Sequence, residues 1–342
     1  MHIKQFIIPV LIIALLVVAA ALYYTTYEVK PPELKPITVV IAVDGLGEIF
    51  GYVMKHHDID KKNGIEVEFV RDTPSNLENK ITGGEKFEGL QLASPITVAL
   101  SAAQGHPVIA VAPAVRMAYY LAVRSDSTIK TIDDLKGKRV GVLPKVTAAY
   151  SSVAIILNTA GINQATDFKL SFGSIPSMVA LLEAGEVDAA TVIYPTAAAL
   201  FGSGEFRSIA DLEQLWEEKE NGLTHPFLVY TANSDWLSSA DNRDTVKRFV
   251  QATLDTAKLM RNQPDVTTEE ANQNLQIFLK KNNIQSYAAL ELLRANAGKF
   301  FYTDWNDREY DAVVRVLTRA KEIGLLPLDT PLAETVIRPG EL

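Results

Sequence analysis

Hydrophobic positions along this chain fall into three patterns: one unbroken apolar run, two matching series of short β-branched stretches, and a set of stripes at helical spacing. The unbroken run is Phe6–Leu22, FIIPVLIIALLVVAAAL, with Lys4 the only cation before it and Glu28 the first acid after it. Extended by Tyr23 and Tyr24, it makes about 28 Å of helix against a hydrocarbon core of about 30 Å. A span of that length serves as a membrane anchor or as the apolar part of a signal peptide, for which Ala19-Ala20-Ala21 offers a small-residue cleavage site. Residues 1–27 are read as this signal peptide or anchor, and 28–36, with Pro31, Pro32 and Pro36, as an extended tether.

The two matching series begin with Ile37–Val43, short and β-branched as in a buried strand. A loop with Gly45 and Gly47 and a helix ending near Gly64 follow, and then Ile65–Val70 alternates apolar and polar residues. The same order returns with the strand Arg139–Leu143, the loop Pro144–Val146, a helix from Thr147 to Ala160, Gly161 and the alternating Phe168–Phe172. Further on in each copy, Gly84-Glu85 leads through a strand to Ser94-Pro95, and Gly185-Glu186 leads through a strand to Tyr194-Pro195, each before an Ala/Leu-rich helix. Each copy is a strand–helix–strand–helix–strand–helix unit of about one hundred residues. This alternation predicts an α/β fold of two lobes, each a mainly parallel sheet flanked by helices. Beyond about Asp235 only helical stripes remain, such as Val246, Phe249, Val250, Leu254, Ala257 and Met260, and they predict core-facing surfaces.

Composition narrows the chemistry. With 48% hydrophobic residues over 342 positions the chain is not a mainly disordered one. Its 33 basic residues against 41 acidic ones, a net charge of -8, argue against a nucleic-acid partner, which needs a dense Lys/Arg footprint. The absence of cysteine excludes a disulfide scaffold, a thiol nucleophile, cysteine-bound metal and a lipid-bearing cysteine after the apolar run. None of the five histidines (His2, His56, His57, His106, His225) shows the i,i+4 pairing of a zinc helix. Gly45-Leu46-Gly47-Glu48-Ile49-Phe50-Gly51 approaches a dinucleotide fingerprint but has one residue too many before its third glycine. Asp44 and Glu48 would also place negative charge where a pyrophosphate must approach. No catalytic residue, cofactor or metal ligand is expected.

Ligands of open α/β sheets bind beyond the carboxyl ends of the strands, where loops meet helix N-termini. Four loops have that position: Asp44–Glu48, with Leu46, Gly47 and Glu48; Ser94–Thr97, with Ser94 and Pro95; Pro144–Tyr150, with Thr147, Ala148 and Tyr150; and Tyr194–Thr196, with Tyr194 and Pro195. Their unpaired N–H groups suit an anion or a carboxylate, and the two tyrosines offer aromatic walls. Arg116 and His225 join the candidates because their segments are expected to cross between the lobes. Each residue also has a plain structural reading: the X-Pro pairs as turns, Thr147 as a helix cap, Arg116 as a surface residue and His225 as a core residue.

The stretch Ser127–Val142, with Asp134-Leu135-Lys136-Gly137-Lys138, resembles the Asp-Leu-Lys-Gly-Lys signature of ABC-transporter substrate-binding proteins, in the branch that handles nitrate, sulfonates, taurine and thiamine precursors. Ile175–Ala190 followed by Tyr194-Pro195, and Gln104-Gly105-His106-Pro107-Val108, resemble the same branch. The resemblance runs from about Ile37 to Met260 and implies a periplasmic-binding-protein type II fold. Lobe I would comprise 37–120 and 227–342, and lobe II 121–226. It further implies an extracytoplasmic, non-enzymatic protein that closes on a small anionic or zwitterionic solute and serves an ABC permease and its ATPase. Where many relatives have Gly-Ser at a helix start, this chain has Val146-Thr147. The alternatives are a ligand-sensing ectodomain and an enzyme like the thiamine-pyrimidine synthase branch, whose cysteine-rich motif is missing here.

Overall fold

A computed structural model describes residues 33–342. Among these residues no helix is long and apolar enough to cross a membrane, and the Phe6–Tyr24 span lies outside them. Ten strands form two five-stranded sheets. The first holds β1 (Lys35–Ala42), β2 (Ile65–Asp72), β3 (Leu90–Ala93), β4 (Val108–Arg116) and β10 (Pro226–Asn233), in the order β2-β1-β3-β10-β4. The second holds β5 (Tyr119–Arg124), β6 (Arg139–Val142), β7 (Lys169–Phe172), β8 (Ala189–Ile193) and β9 (Phe206–Asp211), in the order β7-β6-β8-β5-β9.

The two orders are the same once the strands are matched, as the duplicated pattern requires. β1 runs parallel to β2 and β3, and β6 runs parallel to β7 and β8. In each sheet one strand is antiparallel to both of its neighbours: β10 between β3 and β4, and β5 between β8 and β9. Four strands of each sheet therefore point one way, and the reversed one is the strand that has just arrived from the other sheet. The chain leaves the first sheet between Arg116 and Tyr119 and re-enters it at Pro226.

Among the described residues, eleven helices of seven residues or more cover the sheets. In chain order they are α1 (Leu46–His56), α2 (Pro74–Thr82), α3 (Pro95–Ala103), α4 (Ala148–Thr159), α5 (Ile175–Glu183), α6 (Thr196–Gly202), α7 (Leu212–Lys219), α8 (Ala240–Asn262), α9 (Gln273–Lys281), α10 (Tyr287–Asn296) and α11 (Asp307–Glu322). Local chemistry sets their starts. Thr73, Ser94, Thr147 and Ser174 cap α2, α3, α4 and α5 through side-chain oxygens, and Pro74, Pro95 and Pro176 sit in the first turn. After α2 and α5 the duplicated Gly-Glu turns place Gly84 and Gly185 at φ 68° and 71°, a left-handed conformation that favours glycine.

The C-terminal helices do not all return to the first sheet. α8 packs on α1, and α11 on α3, β4 and β10, but α10 packs against α6 of the second sheet. The contact is close because α6 ends in Gly202, where a Cβ would stand 2.7 Å from the amide nitrogen of Ala289 and 2.9 Å from its Cα. Helix propensity alone predicts a gain of up to about 1 kcal/mol for Gly202→Ala. The clash with α10 backbone reverses the sign, so we expect Gly202→Ala to lose about 1–3 kcal/mol in urea denaturation.

Candidate functional site

Between the two sheets lies a cavity of about 70 Å³. That is well above the roughly 10–15 Å³ a cavity needs to admit one water, so a small solute has room there. Its floor is an aromatic pair on the two crossing strands, Tyr119 and Phe227, with ring centroids 5.4 Å apart. One wall comes from the first sheet: the loop Asp44–Gly47 after β1, Leu77 and Glu78 of α2, and Leu92 of β3. The other comes from the second: Leu143 after β6, Thr147–Ala149 at the start of α4, Ile175 of α5 and Ile193 of β8. The carboxyl ends of β1 and β6, equivalent strands of the two copies, thus face each other across it.

Two helix N-termini point at this space. α1 begins after Gly45 without a side-chain cap, so the N–H groups of Leu46 and Gly47 have no intrahelical acceptor. At α4 the Thr147 hydroxyl donates to the Pro144 carbonyl (2.7 Å) and accepts from the Tyr150 amide (3.4 Å), and the N–H groups of the lining residues Ala148 and Ala149 have no intrahelical acceptor. The walls are otherwise apolar, and no Lys, Arg or His lines them. Asp44 is a lining acid, but its carboxylate meets Lys281 at 2.6 Å on an exposed side.

The remaining lining acid is Glu78, which is 3% exposed. The Ser94 amide donates to its two carboxylate oxygens at 3.1 and 3.4 Å, and the Thr97 hydroxyl is a further partner. Glu78 therefore sits on the N-terminus of α3, the position where Ser94 and Pro95 were expected to receive an anionic ligand. The chain supplies that anion itself. Burial outweighs these bonds and pushes the Glu78 carboxyl up to about 7.

Four of the twelve residues named from the sequence line the cavity: Leu46, Gly47, Thr147 and Ala148. The other eight lie outside it, each for a visible reason. Ser94 and Pro95 are buried beneath Glu78. Glu48 turns back to accept from the Asp44 amide (2.6 Å) and the Tyr52 hydroxyl (3.0 Å) and pairs with Arg71. Tyr150 leans outward toward Phe172, with ring centroids 6.1 Å apart. Tyr194 is 2% exposed, packed between Tyr120 and Phe300, and its hydroxyl accepts from Asn296 Nδ2 at 3.0 Å, so it holds α10 rather than walling the pocket. Pro195 continues away from the cavity into α6.

Arg116 and His225 stand beside the crossings but behind the cavity floor. The Arg116 guanidinium lies over the Tyr302 ring, 5.1 Å from its centroid. His225 is fully buried with its ring edge-on to Trp216 at 4.8 Å, and neither ring nitrogen has a hydrogen-bond partner. Burial holds its imidazole down at about 3, neutral at ordinary pH.

Residues 50–267 match the family described as NMT1/THI5 like. The chain belongs to that family. No curated protein sequence matches it. Among solved structures it is similar to the periplasmic aliphatic sulphonate-binding protein SsuA of Escherichia coli, with 17% identity, TM-score 0.64, and 88% of this chain covering 97% of that one. It is similar to the alkanesulfonate-binding protein SsuA of Xanthomonas axonopodis pv. citri bound to MOPS, with 20% identity, TM-score 0.65, and coverage of 90% and 99%. The desulfurization enzyme DszB matches at 16% identity and TM-score 0.59, over 89% of this chain and 97% of that one. These likenesses establish the two-lobed, periplasmic-binding-protein-like fold.

Glu78 gives stability a pH dependence of definite sign. Between about pH 5 and 7 the folded chain keeps a proton on Glu78 that the unfolded chain has released, so stability falls as pH rises through this window. Above pH 7 the loss levels off at about 3 kcal/mol. Glu78→Gln keeps the shape and an acceptor for the Ser94 amide while removing the charge. We expect it to melt above the wild type near pH 8 and level with it near pH 5, in melts followed by circular dichroism.

Proposed function

We propose that this protein captures a small solute in the cavity between its two sheets, outside the cytoplasm, and hands it to an ABC permease and its ATPase. The observation that carries the reading is the cavity itself: a space walled by strand-end loops of both sheets and floored by the two strands that begin at the crossings. A solute seated there touches both walls only when the lobes are together, so binding favours the closed form, and a permease can read that closure. Membership of the NMT1/THI5-like family and the sulfonate-binding names of its structural relatives support the same reading. Residues 6–24 would export the chain or anchor it to the membrane. Leu46, Gly47, Thr147 and Ala148 are proposed as contacts of the solute.

The enzymatic reading has a structural relative in DszB, yet this chain has no cysteine and no thiol nucleophile to offer. The binding reading is tested with the unit Lys35–Leu342 and a panel of sulfonates, nitrate, pyrimidines, aromatic carboxylates, amino acids and aliphatic amines. One class should stabilise the unit, by about 2.7 kcal/mol at 100 times Kd. Ala148→Leu, which fills the cavity from the second wall, should remove that gain. A melt unmoved by every class rejects the solute-binding reading.

A further inference from the structure

The charges around the cavity say what kind of solute it takes, given the proposal that it holds one. An anion entering it meets no Lys, Arg or His, only main-chain N–H groups, and it enters beside Glu78 and near Asp44. Asp44 already has Lys281 as its partner. Glu78 has no cation: its partners are the Ser94 amide and the Thr97 hydroxyl, both neutral donors. The elements packed around it supply none. β3 (LQLA) and α3 (PITVALSAA) carry no ionisable side chain, Lys80 of α2 itself pairs with Asp72 at 2.9 Å, and Lys35 of β1 pairs with Asp241 and Asp244 at 2.7 and 2.8 Å.

A carboxylate 97% buried against an apolar space is a binding group awaiting a positive partner, because a charge-assisted hydrogen bond in such surroundings is stronger than a neutral one. The remaining walls, Leu77, Leu92, Leu143, Ile175 and Ile193, ask for hydrocarbon. The geometry points to a small monocationic amine as the solute, its ammonium group on Glu78 and its apolar remainder between the two lobes. A cavity of about 70 Å³ suits a small amine rather than a bulky one. Glu78 is then the residue that sets specificity, turning away the sulfonates that the relatives' names record.

The test uses the full chain and three probes that share a butyl chain, n-butylammonium, n-butanesulfonate and n-butanol, titrated calorimetrically near pH 8, with the alcohol matching the amine in size. We expect n-butylammonium to bind at least about tenfold more tightly than either of the others, the increment of one charge-assisted hydrogen bond. Glu78→Gln should abolish that preference, whereas Glu78→Asp, which keeps the charge one methylene further back, should weaken binding and retain the preference. The proposal is overturned if the sulfonate or the alcohol binds as tightly as the amine, if Glu78→Gln leaves the preference intact, or if the amine does not bind. In the last case, a sulfonate or other class that still stabilises the unit leaves the solute-binding reading standing.

Discussion

The amide of Met117 donates to the carbonyl of His225 at 2.9 Å, and that bond ties together the two places where the chain passes between its sheets. Both residues are fully buried, as is Ala118 beside them. Among the described residues only these segments link the strands of the two sheets, so their spacing fixes where the loops at the strand ends meet their counterparts. It also explains why each sheet contains one reversed strand: a strand that has crossed from the other sheet enters at the opposite end. Tyr119 and Phe227 are the first and second residues of those reversed strands, which is how a pair of aromatic rings comes to floor the cavity. His225 adds no charge to the junction, since its buried ring stays neutral at ordinary pH. A protonated imidazole here would have to be solvated or paired, and neither nitrogen has a partner.

Duplication made the two walls alike, and one residue makes them unlike. α2 and α5 share a capping hydroxyl, at Thr73 and Ser174, and a buried pair at the same spacing, Leu77 and Ile81 against Met178 and Leu182. Aligned on those residues and on Gly84 and Gly185, Glu78 falls opposite Val179. Val179 is the residue the surroundings call for. Glu78 instead caps α3 from the side and leaves a carboxylate at the cavity wall, whereas the start of α4 keeps its N–H groups unoccupied. One helix terminus is satisfied by a side chain from within the chain, and the other by none beyond its own capping threonine.

Strand and helix order, the two copies and the loops at the strand ends follow from local periodicity, and the structure has them. Leu46, Gly47, Thr147 and Ala148 line the cavity as their sequence positions suggest, because helix-terminus geometry is local. Tyr194 was misplaced because its direction is set by Phe300 and Asn296, about one hundred residues later, on segments that cross to the second sheet. Arg116 was drawn away in the same manner by Tyr302. Glu78 was missed because a lone acid on a polar helix reads as solvent-facing. The signal was present in the alignment of the two copies, where an acid replaces a buried-side apolar residue.

The unpaired charge also bears on how closure is coupled to occupancy. Lobes that close on an empty cavity remove water from Glu78, and two neutral donors offset only part of that desolvation, as the upward push on its carboxyl shows. The empty chain therefore either opens, returning water to the carboxylate, or takes up a proton there. A cationic solute removes the need for both. Its own desolvation is balanced against a fixed carboxylate in a site of low polarizability, where the attraction is strongest when the lobes are shut. The quantity that differs between open and closed forms is then the neutralisation of one charge, more than the apolar area added by so small a ligand. A ligand shifts a conformational equilibrium only by its differential affinity for the two states. Glu78 supplies that difference at the wall, and the paired crossings at Met117 and His225 let the two sheets express it.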